Sequence, residues 1–187
     1  MNQYREHQSQ QQAQQQVIQQ RTEALQQQKR AEQYRFQSGY LERMREQRAR
    51  IERDRDHDYN SDPYFYTAPS YRYKRGTRYY QTNQYGADLL RQAVNYGYAE
   101  GYQAGRADRL DHWRSNYRLS YAYQDANYGY TGYYVDQAEY NYYFREGFRR
   151  GYEDGFTSRY RYGRYSNGSY SIQANILGVI LRLQSLR

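Results

Sequence analysis

Glycine recurs at every fourth position in two short segments of this chain, and that spacing constrains the fold more than any other feature. The segments read NYGYAEGYQAGRAD and REGFRRGYEDGFTS, and they lie fifty residues apart. Four-residue spacing brings the glycines of each segment onto one face of a helix. The predicted helix-packing residues are Gly97, Gly101, Gly105, Gly147, Gly151 and Gly155.

Glycine within a helix is destabilising, so the two stripes need a compensating contact. Six helical glycines cost roughly 5 to 6 kcal/mol relative to alanine, and close approach of two helix backbones can offset that loss. We therefore expect the stripes to face each other in an antiparallel helical hairpin over residues 84–157. The alternative is a flexible Gly/Tyr-rich coil, which the apolar residues from Leu89 to Val94 disfavour. Aromatic rings would cover the seam from water: Tyr98, Tyr102, Phe148, Tyr152 and Phe156.

The residues between the stripes predict how the chain turns. Trp113 to Tyr123 indicate a continuing helix or a second short one, and Gly129 and Gly132 indicate a turn. Asp136 is a candidate N-cap for the second striped helix, because Glu139 stands three residues later.

Tyrosine has to supply most of the core. The chain contains 29 tyrosines but few aliphatic residues. Each tyrosine ring can bury roughly 150 to 250 Å², but its hydroxyl then needs a hydrogen-bond partner. We therefore expect an open structure with a thin, hydrated core.

Residues 1–58 are rich in Gln, Glu and Arg and predict one long helix. They contain one glycine and no proline, and the dominant residue types favour helices. The sparse apolar residues form a weak coiled-coil seam at most, and the alternative is a solvated helix with a disordered Gln-rich tip. The seam comprises Val17, Ile18, Leu25, Ala31, Tyr34, Leu41, Met44 and Ile51.

Two segments are interpreted as disordered linkers, which completes a mainly α architecture. Residues 59–83 are rich in Tyr, Pro and Arg, and residues 158–171 in Arg, Tyr and Gly. Residues 172–187 form an amphipathic tail that docks on the hairpin or on a second copy, or contacts a membrane surface. The tail is too short to span a bilayer. Its apolar face comprises Ile172, Ile176, Val179, Ile180, Leu183 and Leu186.

The motifs GYAEGYQAGRAD, YQDANYGY and YYFREGFRRGYEDGF resemble those of uncharacterised bacterial Tyr/Gly-rich small proteins with repeated GYxxGxxxG-type helices. The resemblance covers residues 96–156. It implies a helical architecture and no catalytic residue or cofactor. Many proteins of that group look exported, which implies the cell envelope. The polar start of this chain does not read as a secretory signal, so a cytoplasmic location is the default expectation and the envelope is the alternative.

Little in the sequence points to catalysis. With no cysteine, the chain cannot form disulfides, thiolate zinc sites or a cysteine nucleophile. Phosphate-binding glycine loops are missing from the sequence. His7, His57 and His112 are far apart, and the one helical Asp/His pairing, Asp108 with His112, is better explained by a surface helix of mixed charge. We predict a protein that is not an enzyme, with no catalytic residues and no cofactor.

One segment has the spacing of calcium ligands. Oxygen-bearing residues alternate as in the first part of an EF-hand loop, but Tyr59 replaces the glycine of that loop and Phe65 its bidentate glutamate. A solvated acidic helix end is the preferred interpretation. The weak metal candidate comprises Asp54, Asp56, Asp58, Asn60 and Asp62.

Two functions remain open. The leading hypothesis is a structural or assembly protein that forms a homo-oligomer or contacts another protein. It rests on the Gln-rich helix, the Arg/Tyr linkers, the glycine stripes and the apolar tail. The alternative is single-stranded nucleic-acid binding or condensation. The net charge of +8 and the segments YRYKRGTRYY and SRYRYGRYS supply phosphate contacts and stacking rings.

Overall fold

The computed structural model describes residues 2–54 and 56–186, which form a mainly α fold with two β-hairpins. This confirms the predicted fold class and the long N-terminal helix. The helices are α1 Asn2–Gln27, α2 Ala31–Arg53, α3 Gln84–Leu110, α4 Tyr121–Asp125, α5 Gln137–Thr157 and α6 Ala174–Leu181. The strands are β1 Tyr71–Arg75, β2 Arg78–Thr82, β3 Gly163–Ser166, β4 Ser169–Ile172 and β5 Gln184–Ser185. Short 3-10 turns span Pro63–Tyr66 and Tyr117–Leu119.

The two striped helices, α3 and α5, pack against each other along their glycines. Gly97 meets the backbone of Phe144, and Gly105 meets the backbone of Tyr152. Residue numbers therefore rise together along both helices, so α3 and α5 are parallel. The predicted antiparallel arrangement is wrong because the connection is long. Residues 111–136 return the chain to the end from which α3 started, through the second 3-10 turn, α4 and a loop.

The contact between these helices is reciprocal. A Cβ on Gly97 would overlap the carbonyl oxygen of Phe144, and one on Gly147 would overlap that of Val94. The same pattern repeats one and two turns further along both helices. The missing side chains leave a Cα–H of each glycine directed at a carbonyl oxygen. Contacts of this kind contribute about 0.5 to 1 kcal/mol each, so six of them offset most of the intrinsic helix penalty.

The N-terminal segment is an arm of two helices rather than one helix to residue 58. The chain reverses at Lys29, which has a left-handed backbone with φ of 55°, and Gln37 on α2 donates to Thr22 on α1 at 3.0 Å. Helices α1 and α2 therefore form the antiparallel hairpin of this molecule. Composition favoured helix on both sides of the reversal and gave no signal for the turn itself.

Both segments interpreted as disordered linkers contain β-hairpins. Strands β1 and β2 turn through Gly76, which has φ of 60°. Strands β3 and β4 turn through Asn167 and Gly168, which both have positive φ, as a tight two-residue turn requires. Disorder was the wrong prediction because each hairpin has a partner to cover. The inner face of the first packs Tyr73 against α5, and the second packs Tyr170 on α3.

The C-terminal tail is only partly helical. Residue Ile172 belongs to β4, α6 ends at Leu181, and β5 then pairs with β1. The predicted continuous apolar helix face is therefore wrong at both ends. Leu181 is buried and Val179 is exposed, so part of the tail docks on the body of the same chain. Among the described residues, none of the helices is long and apolar enough to cross a membrane.

Tyrosine builds the core, and carboxylates satisfy its hydroxyls. Tyr98, Tyr140 and Tyr143 are fully buried, so the core is closed rather than thin and hydrated. A hydroxyl that donates to a carboxylate makes a strong, charge-assisted bond, which lets a polar ring enter the interior. Six such pairs occur among the described residues: Tyr40 with Asp125, Tyr73 with Glu139, Tyr98 with Asp154, Tyr134 with Asp62, Tyr152 with Asp108 and, at the surface, Tyr162 with Glu153.

Candidate functional site

The positive charge of the chain is concentrated in the two hairpin segments. Residues 71–82 and 159–172 together carry seven basic residues and no acidic residue, which is nearly the whole net charge of +8. The remainder of the chain is close to neutral. A local excess of one sign attracts ligands of the opposite sign, so these segments, called the basic hairpins below, are the candidate site.

The outer face of the first basic hairpin presents a tyrosine ring with two cations close to it. Tyr79 lies opposite Lys74 in the β1–β2 register and is 58% exposed. The guanidinium carbon of Arg72 lies 5.2 Å from the centre of the Tyr79 ring, and the Lys74 ammonium lies 5.5 Å from it. Arg72 also donates to Gln184 of β5 at 2.7 Å, which fixes its position.

The inner face of this hairpin fixes it to the helices. Tyr73 is buried, stacks on Tyr80 and donates to Glu139 at 3.2 Å. Tyr143 of α5 donates to the carbonyl of Lys74. Burial, together with the charge of Glu139, raises the pKa of Tyr73 well above its usual range. Strand alternation thus directs Tyr73 and Tyr80 inward, where Arg75 pairs with Glu139, and it directs Arg72, Lys74 and Tyr79 outward.

The second basic hairpin is anchored by one buried carboxylate. Asp154 accepts the Tyr98 hydroxyl at 2.7 Å and the backbone N–H groups of residues 161–163 at 2.9 to 3.2 Å. Tyr102 then stacks on Tyr160 with ring centres 5.5 Å apart. Tyr160 and Tyr165 remain about half exposed, so this hairpin also displays rings beside arginines.

The predicted helix-packing glycines and their aromatic flank lie inside the molecule. All six glycines lie on the α3–α5 contact. On α5, rings four residues apart stack in a column from Tyr140 to Phe156, with centres 6.1 to 6.5 Å apart. Of the five flank residues, Tyr98, Tyr102, Phe148 and Tyr152 are buried and Phe156 is half-buried. These residues shape the scaffold and are not available to a ligand.

The weak metal candidate is dispersed over separate roles. Asp54 is the C-cap residue of α2, and Asp58 accepts the N–H of Asn60. Asp62 is buried and accepts from Tyr134 and from the backbone of Tyr64, while its other neighbour is His57 at 2.5 Å. Burial works against its ionisation, but these hydrogen bonds outweigh it and lower its pKa. Within residues 2–54 and 56–186, no group of three acidic or histidine side chains is arranged for a metal ion.

The candidate pairing of Asp108 with His112 is not formed. Asp108 is engaged by Arg30 at 2.6 Å and by the Tyr152 hydroxyl, and burial raises its pKa. His112 follows the end of α3 with a left-handed φ of 53°, so α3 no longer brings it alongside Asp108. The carboxylate thus serves the packing of the arm.

Comparison with protein-family models, with curated proteins and with solved structures finds no match for this chain. The resemblance of residues 96–156 to bacterial Tyr/Gly-rich proteins therefore stays a prediction. Any function has to be argued from the geometry of the chain itself.

Sequence reasoning found the Arg/Tyr composition of the candidate site but missed its geometry. Arg72, Lys74 and Tyr79 fell within a predicted linker. For the second hairpin a sequence signal was present, since the dipeptide Asn167–Gly168 between tyrosine-containing runs is typical of a tight hairpin. The alternation of YRYKR is likewise typical of a strand with one buried face.

Proposed function

We propose that this chain is a non-enzymatic binding protein whose basic hairpins bind single-stranded nucleic acid. The observation that carries the proposal is the outer face of β1 and β2, where the cations of Arg72 and Lys74 lie 5.2 and 5.5 Å from the centre of the exposed Tyr79 ring. A base can stack on such a ring while the neighbouring cations contact its phosphates. Neither hairpin segment contains an acidic residue, and the two α5 carboxylates that pair with hairpin arginines, Glu139 and Glu153, are fewer than the seven basic residues of the segments.

A rigid support favours this use of the hairpins. Binding is weakened when mobile groups must first become ordered, because their ordering costs conformational entropy. Here the backbone of each hairpin is tied to buried groups of α3 and α5 through Tyr143 and Asp154. The ring and the two cations of the first hairpin are thus held on a fixed backbone before a nucleic-acid strand binds.

Paired charge variants test the proposal. We expect Arg72→Ala with Lys74→Ala to weaken binding of a labelled oligothymidine about tenfold or more at low salt. The slope of log affinity against log salt should fall by about 1.4, since each single-strand phosphate contact contributes roughly 0.7. The measurement is fluorescence anisotropy over a salt series.

The matched control removes the same charge elsewhere. Arg35 and Arg45 are exposed on α2, in surface pairs with Glu32 and Glu42. Their double alanine variant should change affinity less than twofold. Equal losses for the two double variants would show attraction by overall charge alone, and no binding by the parent chain would remove the proposal.

Self-association is the second candidate, now favoured by a different feature. The glycine stripes engage each other within one chain, but Ile18, Leu41 and Met44 of the predicted seam line a groove of about 530 Å³ between α1, α2 and α4. A helix from another copy could bury these side chains. Light scattering over a concentration and salt series separates the two functions. Mass that rises with protein alone supports assembly, and mass that rises only with oligonucleotide at low salt supports the first proposal.

A further inference from the structure

A closed circuit of aromatic rings lines one cleft of the molecule. Successive rings in the circuit lie 4.6 to 6.2 Å apart. The cleft has a volume of about 520 Å³ and opens between the connector after α2, the inner part of the first hairpin, and the loop before α5. The circuit, called the aromatic cage below, consists of Tyr59, Phe65, Tyr64, Tyr134 and Tyr133 in that spatial order.

Two of the four tyrosine hydroxyls of the cage donate to carbonyl or carboxylate oxygens of the protein. Tyr64 donates to the carbonyl of Tyr134 at 2.8 Å, and Tyr134 donates to Asp62 at 2.9 Å. Tyr130, which also lines the cleft, donates to the carbonyl of Val135 at 2.9 Å. With these hydroxyls engaged, the cage offers ring faces, which carry partial negative charge, rather than polar donors.

Carboxylates outnumber basic side chains around the cage: Asp62, Asp136 and Glu139 lie near Arg75 and near His57, whose ring stacks on Tyr133 with centres 4.5 Å apart. Asp136 and Glu139 line the cleft, and Asp62 lies behind Tyr134. The charge of Asp136 acts on the phenols of Tyr64 and Tyr130, whose pKa values are raised mainly by burial and also by that carboxylate.

The chain itself already places a cation on a neighbouring ring. The guanidinium of Arg75 lies 3.2 Å from Glu139 and 5.7 Å from the centre of the Tyr80 ring. Tyr80 lines the same cleft. A cation between an aromatic face and a carboxylate is therefore an arrangement that this site supports.

We propose that the aromatic cage binds a small organic cation of the alkylammonium class. The ring faces attract the positive charge, the methyl groups fill the apolar space between them, and Asp136 contributes at the rim. Neutral sugars are a poorer fit because they need several donors and acceptors, and the hydroxyls of Tyr64 and Tyr134 are already engaged within the protein. The site differs from the outer face of the basic hairpins in its residues and in the sign of its charge.

Choline and its neutral isostere 3,3-dimethyl-1-butanol test the proposal on the full chain. The two molecules have the same shape, and only the first is charged. NMR titration of the aromatic ring protons should show saturable binding of choline and binding of the alcohol that is at least fivefold weaker. Equal binding of the two would overturn the proposal, as would no saturable shift with choline.

Variants locate the binding. Phe65 is 53% exposed in the circuit, and Phe65→Leu keeps an apolar side chain while removing the ring. We expect about fivefold weaker choline binding, and Tyr66→Leu next to it, at a ring outside the cleft, should leave affinity unchanged. Asp136→Asn provides a second variant that preserves packing, and it should weaken choline binding and reduce its salt dependence. Unchanged affinity in both cage variants would place the binding elsewhere and overturn the assignment.

Discussion

The two helix pairs of this molecule are built on opposite principles. In the parallel pair, α3 and α5 meet backbone to backbone, and the interface is closed by glycines and buried rings. The N-terminal arm is an antiparallel pair that reaches the body through long side chains. Arg30 binds Asp108 at 2.6 Å, Arg43 binds Glu100 at 2.5 and 2.9 Å, and Asp111 accepts N–H groups at the start of α2.

This difference determines which kind of change should destabilise each interface. A backbone contact has no conformational freedom, so any added atom must separate the helices. A contact through arginine can rearrange, but it leaves a buried carboxylate without its partner when the arginine is removed. The parallel pair should therefore be sensitive to added volume and to ionisation of its phenols, and the arm to lost charge.

Alkaline pH should have the largest effect and should act mainly on the parallel pair. Of the five fully buried tyrosines among the described residues, four lie on α3 and α5 and one, Tyr40, lies on α2. Burial is the main cause that raises the pKa of Tyr98, Tyr140, Tyr143 and Tyr152 above the usual 10.0. Above pH 10 the unfolded chain loses these protons and the folded chain keeps them. Above pH 10, each such tyrosine therefore lowers the free energy of unfolding by about 1.4 kcal/mol for every further pH unit, up to its pKa in the folded chain. Below pH 10 the stabilisation from its buried, protonated phenol is fully present. Denaturant titrations at increasing pH should show steep cooperative unfolding with a coincident rise in phenolate absorbance.

Single phenols provide the controls for that experiment. Tyr140→Phe should reduce the pH slope by about one proton, because its buried hydroxyl donates to the Tyr128 carbonyl in the folded chain. Tyr66→Phe should leave the slope unchanged, since that ring is 70% exposed. Gradual ionisation of most tyrosines without unfolding would show that the core is open to water.

A methyl group added at a glycine should have the next largest effect on stability, and the effect should be larger in the parallel pair than in the arm. On Gly101 of α3, a Cβ would lie within 2.8 Å of both the carbonyl carbon and the Cα of Phe148. We expect Gly101→Ala to lower the free energy of unfolding by about 2 to 4 kcal/mol, because overpacking exceeds the gain in helix propensity.

Gly39 in the arm is the matched mid-helix control. A Cβ there would meet only the end of the Arg43 side chain at 3.2 Å, which can shift. Gly39→Ala should change stability by about 1 kcal/mol or less, in either direction. Thermal and denaturant unfolding measure both variants, and equal losses would show that the backbone contact between α3 and α5 is not special.

The glycine positions were predictable from sequence, but the direction of the helices was not. Spacing identifies which residues share a helix face, and backbone proximity follows from the penalty at Gly97 and Gly147. Parallel and antiparallel pairs satisfy that requirement equally. The choice depends on how residues 111–136 pack across the body, which no local pattern encodes.

The candidate site was predictable in composition and not in shape. Arg72 and Tyr79 were recognised as candidate nucleic-acid contacts, but their pairing depends on strand register. The aromatic cage was missed altogether. Tyr59 and Tyr133 are more than seventy residues apart and meet only in the folded chain, at 5.6 Å between ring centres.

Removal of a cation from the arm should have a smaller effect than alkaline pH or an added methyl group at a glycine. It tests whether the arm, unlike the parallel pair, depends on charge. In Arg43→Ala, Glu100 loses the partner of a side chain that is only 8% exposed in the parent chain. Burial already raises the pKa of Glu100 and Arg43 partly opposes that shift, so the variant should raise it further. We expect arm docking to weaken by about 1 to 3 kcal/mol, seen as faster amide hydrogen exchange in α2 than in α3.

The pH dependence and a second substitution identify the cause of that weakening. Because the raised pKa means that the folded state retains a proton which the unfolded state loses, docking in the variant should recover at low pH and weaken as pH rises through the pKa of Glu100. Arg43→Ala combined with Glu100→Gln should regain most of the loss, since no buried charge remains. Arg45→Ala, whose side chain is 72% exposed beside Glu42, should change docking by less than about 0.5 kcal/mol. If α2 and α3 exchange equally fast in Arg43→Ala, the arm and the glycine-packed pair unfold as one cooperative unit, and the contrast between the two interfaces is confined to their local contacts.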